Sequence, residues 1–139
     1  MTALKSKRPV NLPLSQVISV NLKSPVAIAS ILHRISGVVL FLLIPALLYV
    51  LQRSLASPEE FDIVHNEIFG NGFVRFVVWV FLAGLIYHLF AGIKHLFADI
   101  GVAEELQSGR NAAWLMLALS GIGIFAAGFW VFSWKVQQD

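Results

Sequence analysis

Three long apolar runs dominate the chain: Val26 to Leu51, Phe76 to Phe97 and Ala112 to Trp134. Each exceeds the roughly 20 residues a helix needs to cross a ~30 Å hydrocarbon core. In lipid such runs must be helices, because an open strand leaves backbone amides unpaired where no water reaches them. The segments between them are polar. Gln52 to Arg75 holds Pro58, Glu59, Glu60, Asp62, Glu67 and the turn signal Gly70-Asn71-Gly72; Asp99 to Asn111 holds Gly101, Glu104, Glu105, Gly109 and Arg110. The expected fold is an all-α membrane protein with three transmembrane helices, at about 26–51, 76–97 and 112–134. Residues 26–139 then form one membrane anchor, preceded by an N-terminal arm over 1–25.

Composition excludes the alternatives. Of 139 residues, 58% are hydrophobic and 13% charged, whereas a soluble domain averages about 45–50% and about 25%. A disordered chain would be poor in apolar residues. With no cysteine, the chain supplies no disulfide and no thiolate for zinc or an iron–sulfur cluster. A net charge of only +2, with no basic run interleaved with aromatics, argues against a nucleic-acid partner. Pro9, Pro13, Lys23 and Pro25 in the arm speak against a signal peptide and against a continuous helix. An extended or irregular arm is expected.

Lys and Arg set the orientation. With the N-terminus in the cytoplasm, the inner side holds Lys5, Lys7, Arg8, Lys23, Arg34, Lys94 and Arg110, seven of the ten; Arg53, Arg75 and Lys135 lie outside. The positive-inside rule favours this arrangement, with the C-terminus periplasmic. Trp79, Trp114 and Trp134 fall near helix ends, where interfacial aromatics belong.

Polar residues inside a span are expensive and point to function. His88 stands deep in the second run, about 16 Å from Asp99 at ~1.5 Å per residue. Gly84 and Gly92, four residues to either side, share its stripe. Two readings stand. The glycines leave a flat slot for a haem whose iron binds the imidazole, or they form a packing face for another helix. His95, seven residues further on, shares nearly the same face; with Lys94 and Asp99 it makes a polar cluster at that end. There it can serve a propionate or a proton path. In the first run Ser30 and Arg34 share one face, and His33 and Gly37 another; Ser36 lies beside them. Ser30 and Arg34 can bind a quinone head group, and Arg34 can serve haem propionates; alternatively Arg34 snorkels to lipid head groups. Pro45 is expected to kink this helix. In the third run Ser120, Gly121, Gly123, Ala127 and Gly128 offer close-packing faces for a partner helix.

Two stretches are recognisable. Arg8-Pro9-Val10 followed by Ser30-Ile31-Leu32-His33-Arg34-Ile35-Ser36-Gly37 resembles the first signature of the cytochrome b subunit of succinate dehydrogenase, the larger membrane anchor of bacterial complex II. His88 through Gly92, Ile93, Lys94, His95 and Asp99 to Gly101 resembles its second. Lys94 departs from the arginine usual there. The resemblance implies His88 as axial ligand of haem b, Ser30 and Arg34 at the ubiquinone site, and His33 near the haem propionates. It gives His95 no firm role. It implies as partners a second small membrane anchor subunit, an iron–sulfur subunit and a flavoprotein, in the bacterial inner membrane.

One inference from the residues agrees. Haem with two axial ligands needs a second donor, and His33, His65 and His95 all lie nearer the interfaces, so that ligand should come from another polypeptide. No flavin motif or dicarboxylate pocket is visible, so no catalytic residue is assigned and succinate chemistry belongs elsewhere. A fumarate reductase-type haem b anchor and a haem-free anchor or assembly protein are the alternatives.

Overall fold

The computed structural model describes residues 13–102 and 105–133. Lys5, Lys7, Arg8, Pro9, Val10, Glu104, Trp134 and Lys135, used above, lie outside the described residues. Helices α1 (Leu14–Lys23), α2 (Pro25–Ser54), α3 (Pro58–Ile63), α4 (Gly72–Asp99) and α5 (Leu106–Ser133) follow in order, with a π-helical turn at Val64–Ile68 after α3. No strand occurs among the described residues. The helices α2, α4 and α5 are long and apolar enough to cross a membrane.

The spans α2 and α4 outrun their apolar runs because their ends are set by capping groups rather than by hydropathy. Ser24 caps α2, its hydroxyl accepting from Ala27 N at 3.4 Å, with Pro25 in the first turn. Asn71 caps α4 by accepting from Phe73 N at 2.9 Å and Val74 N at 3.4 Å, which starts that helix four residues before Phe76. Gly101, with φ +83°, ends it. Its N–H reaches Ala98 O at 3.0 Å and the next N–H, from Val102, reaches Phe97 O at 2.9 Å, the paired bonds of a Schellman stop. The turn from α2 into α3 is pinned by Arg53, whose guanidinium donates to Glu60 through Nε at 2.7 Å and through Nη2.

Within the arm, residues 14–23 are helical, not extended or irregular as expected. Pro13 and Pro25 bracket eleven residues free of proline, so they bound a ten-residue helix instead of preventing one. Leu14, Val17, Ile18 and Leu22 recur at helical spacing and stay exposed.

The bundle is held by small residues. Helix α4 is central and packs on both α2 and α5. Ala29, Ala91, Ala113 and Ser120 are each buried to 1% exposure or less, while most large apolar side chains face outward. Lipid is as apolar as leucine, so helices gain by close backbone approach rather than by hiding large side chains. Trp79 Nε1 donates to Ile124 O across α4–α5 at 3.2 Å. A Cβ on Gly128 would stand 2.8 Å from that nitrogen, and one on Gly123 2.9 Å from Ile86 Cγ2. The partner of Gly123 and Gly128 is therefore α4 of the same chain. Of the third-span residues expected to receive another helix, Gly121 faces open space.

Candidate functional site

The deepest polar cluster lies between α2 and α4. Tyr87 is buried and donates its hydroxyl to Ala29 O at 2.9 Å, tying the two helices one residue before His88. The next side chain is thereby carried against α2. His88 Nδ1 lies 3.1 Å from Ser36 Oγ and 3.2 Å from His33 O. Ser36 donates its own proton to the same His33 carbonyl at 2.8 Å.

That network assigns the imidazole's proton. The Ser36 proton is engaged, so its oxygen accepts, and a carbonyl only accepts. The tautomer that satisfies both contacts carries its proton on Nδ1 of His88. A neutral imidazole with its proton on Nδ1 presents a bare lone pair at Nε2. Metal-binding histidines are prepared in this way by groups behind the ring.

Two glycines give the cluster its room. A Cβ on Gly37 would stand 3.1 Å from His88 Cε1 and one on Gly92 3.7 Å from His33 Nε2. Gly84 faces Leu40. The space left beside His88 on the Gly84–Gly92 stripe is thus filled by α2 of the same chain, through Leu40 and His33. The His33 ring stacks on His88 with centroids 4.1 Å apart and planes at 28°, and His95 lies 5.2 Å from His33 at 37°. His33 Nε2 is buried and has no hydrogen-bond partner among the described residues. Such an atom costs about 1–3 kcal/mol when left unmet, so a partner beyond the described residues is called for.

The other polar residues separate from this cluster. Lys94 turns toward α5, lining an apolar groove with Phe97 and Met116; it does not join His95. Ser30 is half-buried, Arg34 is exposed, and neither makes a hydrogen bond or ion pair among the described residues. His65, in the π-helical turn, stacks on Phe61 with centroids 6.0 Å apart. Sequence reasoning named Ser36 and Gly37 without giving them a task, and passed over Tyr87. Their signal was available, since Ser36 is three residues after His33 and Tyr87 adjoins His88.

No set of three or more His, Cys, Asp or Glu side chains able to hold a metal ion gathers among the described residues. A bare ion would need such a set. A macrocycle that brings its own equatorial nitrogens needs only axial donors.

Three membrane-length helices with stacked imidazoles between two of them define a polytopic membrane protein. The chain belongs to the succinate dehydrogenase/fumarate reductase transmembrane subunit family, whose model matches residues 5–136. It is 43% identical over 128 residues to the succinate dehydrogenase cytochrome b556 subunit of Coxiella burnetii, covering 92% of this chain and 99% of that one. It is 32% identical over 111 residues to the cytochrome b556 subunit of Paracoccus denitrificans, 78% and 82% of the two chains. The cytochrome b560 subunit of Reclinomonas americana is 31% identical over 115 residues, 80% of each. The resemblance carried by the two signatures is borne out, and the chain is a non-catalytic membrane subunit of the complex II type.

Proposed function

We propose that the chain anchors a succinate:ubiquinone oxidoreductase in the bacterial inner membrane, N-terminus in the cytoplasm. In this reading it holds haem b through His88 together with a second small anchor subunit, and Ser30 and Arg34 form part of the site where ubiquinone is reduced. An iron–sulfur subunit and a flavoprotein supply the electrons. The observation that carries the reading is the His88 ring, whose Nδ1 is engaged by Ser36 and His33 while no hydrogen bond engages Nε2 among the described residues.

The residues present fit a haem. His88 offers the axial nitrogen, and the orphaned Nε2 of His33, with Arg34 adjoining it in sequence and the His95 ring 5.2 Å away, suits the propionate edge. When bound, haem supplies a one-electron carrier inside the membrane. The chain's own part is to exclude water with α2 and α4, to orient the His88 ring, and to leave Nε2 unprotonated. At the quinone, Arg34 keeps a fixed positive charge that favours the reduced oxygen, and the Ser30 hydroxyl supplies a directional hydrogen bond.

The test is purification in mild detergent, identification of companion subunits, and reduced-minus-oxidised spectra of the wild type and His88→Leu. A low-spin haem in the wild type that is lost in His88→Leu, with the complex intact, is expected. An unchanged spectrum in that variant removes His88 from the iron.

A further inference from the structure

We propose that Ser36 is a positioning residue for the haem, acting through the His88 ring. The inference rests on His88 being the axial ligand and adds which group behind that ligand sets its electronic character. Ser36 is only 8% exposed, although a hydroxyl gains nothing from burial among apolar helices unless it is used. Its proton goes to His33 O at 2.8 Å, a bond serines in helices make readily. Its oxygen then faces His88 Nδ1 at 3.1 Å, 52 residues away in sequence. Ser54 makes the same local bond, to Leu51 O at 2.8 Å, at the far end of α2 and away from the His88 ring. The helix does not require the serine at 36; the imidazole does.

The chemistry has a direction. A hydroxyl already polarised by giving its proton away is a better acceptor, since hydrogen bonds in a chain strengthen one another. Accepting from Nδ1–H pushes electron density toward Nε2 and makes it a more basic ligand. A more basic ligand favours the oxidised iron, so the bond lowers the potential. Ser36 does this without contacting the metal, and His33 O alone holds the ring less fully.

The test uses the intact complex, with potentiometric titration and low-spin resonance spectra of the haem. In Ser36→Ala the haem remains bound and low-spin. Its reduced-to-oxidised ratio at a fixed potential rises about threefold, ~30 mV at 59 mV per tenfold for one electron. Ser36→Thr, which restores the hydroxyl, returns most of that shift, and Ser54→Ala leaves the potential unchanged. A wild-type potential and spectrum in Ser36→Ala, or an equal shift in Ser54→Ala, overturns the proposal. Failure of the underlying ligand assignment reads differently: the haem signal then survives His88→Leu.

Discussion

A Cβ placed on Gly37 would stand 3.1 Å from Cε1 of His88, so the imidazole of α4 rests on the backbone of α2. At that distance one methyl forces the ring or a helix to move by a few tenths of an ångström. Gly37→Ala should keep haem with altered low-spin spectra. Gly37→Val adds two further carbons and should cost about 1–3 kcal/mol as overpacking, with haem lost from the assembled complex. Absorption spectra against subunit content check both, and wild-type spectra in Gly37→Val would count against the close approach.

Tyr87 binds α4 to α2 through a single interhelical hydrogen bond to Ala29 O. Tyr87→Phe keeps the ring and removes the bond. Interhelical bonds of this kind are worth about 0.6–1.5 kcal/mol. A detergent-denaturation midpoint should fall by that amount, and the haem should become easier to extract. Equal midpoints would mean that packing of the ring alone holds the helices together.

Packing of α5 on α4 depends on Gly128, whose absent side chain admits Trp79. Gly128→Leu should separate the two helices and break the Trp79 Nε1 bond to Ile124 O. Loss of assembled complex from membranes, seen by native electrophoresis, is the expected result. Gly121→Leu, at a position where a Cβ meets nothing within 4 Å among the described residues, tests whether that open face receives another subunit: normal assembly would show that it does not.

Ser30→Ala should lower quinone reduction about ten- to a hundredfold, the equivalent of the roughly 1.5–3 kcal/mol carried by a hydrogen bond to a charged group. Arg34→Leu should be worse, because it removes a fixed charge as well. Succinate oxidation with a soluble artificial acceptor should survive in both. Unchanged quinone reduction in the two variants would leave Arg34 as a residue of the membrane interface.

Much was legible in the chain itself. Three apolar runs long enough for lipid, with no water inside a bilayer to satisfy a strand, determined an all-α membrane architecture, and the two signatures pointed to the family. A histidine deep in a span is costly there, which singled out His88 as a candidate. What hydropathy could not reveal was where the helices stop, since that depends on particular groups such as Asn71 and the left-handed Gly101. Nor could it tell which helix each small residue meets. Gly84, Gly92, Gly123 and Gly128 carry the same small-residue signal, yet the first two pack on α2 and the last two on α4. Likewise Lys94 and His95 are neighbours in sequence but face different helices. Spacing along one helix defines a face. Only the rotation of that helix against its neighbours decides what the face touches, and that is how Ser36, Gly37 and Tyr87 come to surround and support His88.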